Sequence, residues 1–138
     1  KEEYKTYTKN VVINASTMAD ELVQKGYEII SKGTENHCVL IDLRNKNITG
    51  KEAEYALGLA DITVNKNMVP FDDKSPFVTS GIRIGTAAIT TRGINTDEIV
   101  VITDLIDQAI NNHNNEDALK HIRHQVNELM INKPLFKW

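Results

Sequence analysis

Apolar residues recur every three or four positions along four stretches of the chain, and this spacing predicts four helices. The helices are expected over residues 2–25, 50–60, 97–111 and 116–131. Gly26 suits the position just after a helix, while Thr49 and Glu52 have the spacing of a capping box at the start of the second one. Thr96 can cap the third helix, and Pro134 ends the fourth.

Four short apolar stretches, rich in β-branched residues, predict strands between these helices. The strands are expected over residues 27–30, 37–43, 62–65 and 81–85. The turn between the first two is too short for the crossover that parallel strands need. The predicted fold class is therefore α/β in the α+β sense: two layers, with a small, mostly antiparallel sheet and helices packed on one face.

Composition narrows the class of protein. A chain of 138 residues suits one domain, and its net charge of −3 is spread in both signs, which argues against a nucleic-acid partner. The chain has no apolar run of about 20 residues, so no membrane association is expected. A single cysteine, Cys38, excludes an internal disulfide and indicates a reducing, cytoplasmic location. Because the chain starts at Lys1, we expect it to be a fragment of a longer protein.

Arg83 is the most informative candidate for chemistry. Strand alternation in the segment Gly81–Gly85 places Ile82 and Ile84 on one face and Arg83 on the other. A guanidinium on a rigid strand suits two-point recognition of a carboxylate. The alternatives are a solvent-exposed arginine or a structural ion pair.

The segment 66–80 lacks periodicity and is expected to be a loop of about fifteen residues, a length that indicates a functional role. Asn67, beside Lys66, offers both donors and an acceptor and could read a ring with a mixed hydrogen-bonding edge, or it could be a turn residue. Phe77 could be a stacking wall for a ligand or an anchor of the loop in the core, and the residue alone favours the anchor.

The histidines and the cysteine give weaker signals. His121 and His124 have a spacing that could bind a metal, but they lie among charged residues typical of a solvated face, so no metal site is expected. His37 and Cys38 are neighbours on a strand and point to opposite faces, which argues against a nucleophile–base pair. Cys38 is expected to be a small core residue.

The run from Val64 to Gly93, which contains Asn-Lys-Asn, Lys-Ser-Pro-Phe and Ser-Gly-Ile-Arg-Ile-Gly-Thr, closely resembles the serine hydroxymethyltransferase family. Residues 33–43 and 49–54 are similar to the same family, in the same order. The resemblance implies an enzyme that uses pyridoxal phosphate and tetrahydrofolate to interconvert serine and glycine with transfer of a one-carbon unit. It also implies a subunit with a large cofactor-binding domain and a small C-terminal domain, paired as a homodimer or tetramer.

The resemblance also implies how the chain divides. Residues 1–26 correspond to part of the helix that joins the two domains, and residues 27–138 to the C-terminal small domain of a fold-type I pyridoxal-phosphate enzyme. The large domain would then be a partner that this chain lacks. The family's Schiff-base lysine follows a Thr-Thr-Thr-His run that is absent here, so no catalytic residue is expected and the fragment alone should be inactive.

The resemblance assigns binding roles to five residues. Arg83 matches the arginine that binds the carboxylate of serine or glycine, and Asn67, with Lys66 beside it, matches the folate-contacting segment. Ser75 and Phe77 match positions in the loop that lines the folate site. Two alternatives remain open: a stand-alone module that binds a small carboxylate through Arg83, and the small domain of another pyridoxal-phosphate enzyme.

Overall fold

In a computed structural model, two pairs of short strands lie between helices along the chain. The structure describes residues 2–30, 38–86 and 93–131. The helices are α1 (Glu2–Gln24), α2 (Gly50–Leu59), α3 (Thr96–Asn111) and α4 (Glu116–Met130). The strands are β1 (Glu28–Ile29), β2 (Cys38–Asp42), β3 (Asn65–Asn67) and β4 (Gly81–Gly85), with a 3-10 turn over Arg44–Lys46. His37, predicted to begin a strand, and Pro134, predicted to end a helix, lie outside the described residues.

The four strands form one antiparallel sheet in the order β1-β2-β4-β3. Strand β4 is central: all five of its residues pair with β2, and three of them also pair with β3. Because β3 lies at the edge, its three residues pair only with β4. This topology confirms the predicted α+β fold class and the mostly antiparallel sheet.

The sheet has two different faces. Its inner face carries Val39, Ile41, Ile82 and Ile84, which are buried against the helices. Helices α1 and α2 contact the sheet directly, and α3 and α4 pack against them. The outer face carries the alternate residues, since directly paired residues point to the same side of a sheet. We use the name outer face for the side that presents Cys38, Leu40, Asn65, Asn67 and Arg83.

The apolar stripes predicted for the helices form the core. The fully or almost fully buried members are Met18 and Leu22 on α1, Ala53, Ala56 and Leu57 on α2, Ile99, Ile102, Ile106 and Ile110 on α3, and Leu119, Ile122 and Val126 on α4. Cys38 differs from its prediction: it is half-buried rather than in the core, because strand alternation puts it on the outer face.

The helix starts confirm one predicted cap and correct another. At α2 the amide of Glu52 donates to Thr49 Oγ1 at 3.1 Å and the amide of Thr49 donates to Glu52 Oε1 at 3.0 Å, which is the predicted capping box. At α3 the cap is Asn95, not Thr96, because the residue three positions after Asn95 is Glu98, which completes a reciprocal pair of hydrogen bonds.

Strand β3 lies later in the chain than predicted. Ile62 and Val64, expected in a strand over 62–65, are instead buried in the core between α2 and β3. The strand forms over Asn65–Asn67, where polar residues meet β4 in register. Pairing with an existing strand therefore overrides the local β-propensity of the apolar residues. The loop predicted over 66–80 correspondingly begins at residue 68.

The start of α2 fits closely against the end of this loop. The amide of Gly50 donates to the carbonyl of Thr79 at 3.1 Å. A Cβ atom at position 50 would overlap both Thr79 Oγ1 and the carbonyl oxygen of Gly81. Glycine at this position therefore lets the helix end lie directly against the segment that leads into β4.

We expect Gly50→Ala to destabilise the fold by about 1–3 kcal/mol, because the added methyl group overpacks a site bounded by backbone. The matched control is Gly58→Ala in the same helix, where an added Cβ meets nothing within 4 Å. Removing a flexible glycine there should stabilise the helix by about 0.5–1 kcal/mol. Thermal unfolding followed by circular dichroism measures both, and equal effects of the two variants would contradict the packing argument.

Candidate functional site

Arg83 lies at the centre of the outer face, with its backbone held on both sides. It pairs with Leu40 of β2 on one side and with Asn65 of β3 on the other. Its side chain is exposed, whereas Ile82 and Ile84 on either side of it are buried, as predicted. The fold therefore presents a guanidinium from a strand that cannot easily move.

The guanidinium of Arg83 has no ion-pair or hydrogen-bond partner among the residues that the structure describes. Two other arginines contrast with it: Arg44 is paired with Asp42 at 2.6 Å, and Arg123 with Asp61 at 3.0 Å. Within the described ranges, the structural ion pair that the sequence left open for Arg83 is not present. An uncommitted planar donor on a fixed strand is suited to binding a carboxylate from outside.

Asn67 shares the outer face with Arg83. It pairs with Gly81, one row along β4 from Arg83, a separation of about 7 Å along the strand. Its side chain is half-buried, and its Nδ2 donates to the carbonyl of Met68 at 2.9 Å. The amide oxygen and the second N–H of Asn67 have no partner among the described residues, so the side chain can still accept from and donate to a ligand.

Lys66 points the other way. It pairs with Ile82 on the inner side of the sheet, and its Nζ lies 3.7 Å from Glu54 Oε1 of α2. The backbone amide of Lys66 also donates to Glu54 Oε2 at 3.0 Å. The structure thus brings Arg83 and Asn67 to one face and places Lys66 on the other, where it fastens β3 to α2.

Ser75 and Phe77 lie on the loop 68–80. Ser75 is exposed, and its carbonyl oxygen accepts hydrogen bonds from the amides of Val78 and Thr79, which makes a tight turn. Phe77 is 81% exposed, so the anchor role that the residue alone favoured is wrong. An exposed aromatic ring held by a turn is available to stack on a flat ligand.

One polar cluster near the site was missed by the sequence reasoning. Arg44 donates to both carboxylate oxygens of Asp42, with Nε at 3.1 Å from each, and its Nη1 donates to the carbonyl of Phe71 at 3.2 Å. Burial would raise the pKa of Asp42, but the hydrogen bonds and charge of Arg44 lower that pKa below its usual value. Asp42 shares a row of the outer face with Asn67, and its pairing with Arg44 means that this carboxylate does not neutralise Arg83.

Asp72 is the second feature that was missed. Its Oδ2 accepts from the amides of Val69 at 3.2 Å and Ser80 at 2.8 Å, and its Oδ1 accepts from the amide of Lys74 at 2.9 Å and from Ser80 Oγ at 2.6 Å. Partial burial raises the pKa of Asp72, but these hydrogen bonds outweigh it and lower the pKa to about 2. The only sequence signal was an aspartate two residues before a turn amide, a common local pattern.

The described residues do not fit pyridoxal phosphate by themselves. The outer face carries no lysine within the described strands, since Lys66 points inward. Nor do the described residues contain a group of three or more His, Cys, Asp or Glu side chains placed to hold a metal ion. Over the same ranges, no helix has the length and apolar character needed to cross a bilayer. Among the described residues, the outer face instead presents the unpaired guanidinium of Arg83 and the amide of Asn67, which keeps an acceptor and a donor available.

A search of protein-family models matches residues 1–106 to the family described as serine hydroxymethyltransferase. The match runs from α1 into α3 and includes the whole sheet, the loop 68–80 and Arg83. It covers more than three quarters of the 138 residues, so it concerns the chain as a whole and not one motif.

The low pKa of Asp72 leads to a prediction about stability and pH. A carboxyl whose pKa is lower in the folded than in the unfolded state stabilises the fold above its unfolded pKa of about 3.9. That contribution is lost as the pH falls through the folded pKa of about 2. We expect Asp72→Asn to cost about 1–2 kcal/mol at pH 7 and progressively less between pH 4 and pH 2.

Urea unfolding at several pH values measures this difference. Asp73→Asn is the matched control, because the neighbouring Asp73 is exposed and its contacts are long: 3.4 Å to Lys74 Nζ and 3.5 Å to Ser80 Oγ, against 2.6 Å from that hydroxyl to Asp72. A cost of Asp72→Asn that stays constant from pH 7 to pH 2 would show that the charge of this carboxylate does not stabilise the loop.

Proposed function

The chain belongs to the serine hydroxymethyltransferase family, and from that premise we propose that it forms the small C-terminal domain of an enzyme that interconverts serine and glycine. The reaction transfers a one-carbon unit to tetrahydrofolate. The observation that carries the proposal is the guanidinium of Arg83, which is exposed on the outer face and unpaired among the described residues. This arrangement suits the carboxylate that serine and glycine share.

In this proposal Arg83 binds the substrate carboxylate through two parallel hydrogen bonds. Because β4 is paired on both sides, the backbone that carries the fork is fixed, and two parallel hydrogen bonds to the fork would orient the substrate α-carbon relative to the sheet. Orientation of a bound reactant is a large source of catalytic rate. Pyridoxal phosphate, the cofactor of the family, supplies an electron sink when bound, and we assign its binding to a large domain outside the described residues.

We propose that folate binds next to Arg83, and we call this part of the site the folate side. Asn67 has a free acceptor and a free donor among the described residues, which match the mixed hydrogen-bonding edge of a pterin ring. The exposed ring of Phe77 can stack on the flat part of folate, and Ser75 shapes the turn that carries it. Lys66 contributes from the other face by fastening β3 to α2.

The outer face is also the basis for the protein partners that we propose. Leu40 and Cys38 are only half-buried on the outer face, so a covering surface would bury more apolar area there. We assign this covering surface to the large domain, in an enzyme that pairs as a homodimer or tetramer. A cytoplasmic location accords with the free thiol of Cys38.

We expect Arg83→Lys, made in the full-length enzyme, to lower kcat/KM for serine by about ten- to a hundredfold. Lysine keeps the charge but loses the planar two-point fork, and a hydrogen bond to a charged group contributes about 1.5–3 kcal/mol. Steady-state kinetics at saturating tetrahydrofolate measure the effect. Arg123→Lys, at an exposed arginine of α4 paired with Asp61, is the control and should leave kcat/KM unchanged. Unchanged kinetics in Arg83→Lys would refute the carboxylate assignment.

We expect Asn67→Ala to raise the KM for tetrahydrofolate by about tenfold while the dissociation constant for glycine stays nearly constant. The physical reason is that the alanine removes the polar edge but leaves the β3–β4 pairing, and hence Arg83, in place. Kinetics and equilibrium titration separate the two quantities, with the exposed Asn114→Ala as control. A protein that binds glycine but shows no response to folate, even with Asn67 intact, would favour a simple carboxylate-binding module.

A further inference from the structure

We propose that Asp72 is a positioning residue for the folate side of the site: its carboxylate holds together the two ends of the loop 68–80 and thereby keeps Asn67 in place on the edge strand. This inference rests on the proposed function, because it takes Asn67 as the residue that contacts folate. It concerns a side chain that is not itself assigned to any ligand.

The geometry that carries this proposal is a single oxygen bound to both ends of the loop. Asp72 Oδ2 accepts from the amide of Val69, at the start of the loop, and from the amide of Ser80, at its end. Val69 follows Asn67 by two residues, and Ser80 immediately precedes Gly81, the partner of Asn67 in the sheet. The carboxylate therefore closes the loop directly beside the Asn67–Gly81 pair.

The second oxygen of the same carboxylate organises the interior of the loop. Asp72 Oδ1 accepts from the amide of Lys74 and from the hydroxyl of Ser80, a side chain that is only 2% exposed. The loop also contains Phe71 and Thr79 with φ of 57° and 58°, a backbone conformation that residues with a Cβ atom rarely adopt. Contacts from the surroundings must maintain such a conformation, and the Asp72 carboxylate supplies four of them.

The two strands that flank the loop depend on this carboxylate to different degrees. Strand β4 pairs with β2 over five residues, so the position of Arg83 is fixed without the loop. Strand β3 has three residues and pairs with β4 alone, and within the described ranges Lys66 also attaches it to Glu54 of α2 by an ion pair and a backbone hydrogen bond. Loss of the Asp72 hydrogen bonds should therefore release Asn67 and leave Arg83 where it is.

The test compares Asp72→Asn with Asp73→Asn in the full-length enzyme carrying its cofactor. Asparagine keeps the size of Asp72 but loses its charge and one acceptor oxygen. We expect the dissociation constant for tetrahydrofolate, measured in the presence of glycine, to rise about tenfold or more in Asp72→Asn. The dissociation constant for glycine alone should change by less than about threefold. Asp73→Asn should change neither constant.

Equal weakening of glycine and folate binding in Asp72→Asn would overturn the proposal, because the carboxylate would then support the fold in general. Unchanged folate binding would overturn it as well. If Asp72→Asn does not fold, Ser80→Ala takes its place, since it removes the hydrogen bonds from Oγ to Asp72 at 2.6 Å and to Asp73 at 3.5 Å and leaves the backbone hydrogen bond. A folded Ser80→Ala enzyme should show a smaller rise in the dissociation constant for tetrahydrofolate and no rise in that for glycine. An unchanged dissociation constant for tetrahydrofolate would contradict the positioning role.

The outcome for Asn67→Ala separates this inference from the proposed function. If Asn67→Ala weakens folate binding and Asp72→Asn does not, only the positioning role fails. If Asn67→Ala itself has no effect on folate binding, the proposed folate-binding role of Asn67 fails, whatever the result for Asp72→Asn.

Discussion

The pairing of β4 with a strand on each side is the constraint on which the rest of the structure depends. Its hydrogen bonds to β2 and β3 fix the backbone of Arg83 in both directions across the sheet. The same pairing sends Ile82 and Ile84 into the core, where they pack under the helices. The strand therefore couples burial of apolar surface on one side to the presentation of a charged group on the other.

Ion pairs and hydrogen bonds of nearby carboxylates also affect Arg83. Two carboxylates near the outer face are already engaged, Asp42 by Arg44 and Asp72 by loop amides and Ser80. Neither is left to neutralise Arg83. Among the described residues, two arrangements leave the guanidinium of Arg83 unpaired: strand β4 turns it to the outer face, and the contacts of Asp42 and Asp72 occupy these two carboxylates.

The sequence predicted best those features that depend on neighbouring residues. Helical periodicity located the four helices, and the capping box at Thr49 located the start of α2. Strand alternation predicted which way Arg83 points. These inferences held because the patterns behind them repeat within two to four residues along the chain.

Features that depend on distant partners were missed or misplaced. Strand β3 begins at Asn65 because it meets β4 there, a pairing that local propensity cannot show. Lys66 was expected to contact folate together with Asn67, but the sheet places these neighbours on opposite faces, and the lysine pairs with Glu54 on the inner side. The Asp72 carboxylate binds residues up to eight positions away in a loop with no periodicity, so only the folded chain reveals these contacts.

The two-residue period of β4 limits how this part of the chain can change in length. Inserting or deleting one residue between Gly81 and Arg83 would shift the register by one and exchange the guanidinium for an isoleucine on the outer face. The same event would drive a charged group into the core beneath the helices. Changes in chain length should therefore be excluded from the short segment between Ser80 and Gly85, where a single inserted or deleted residue breaks this alternation.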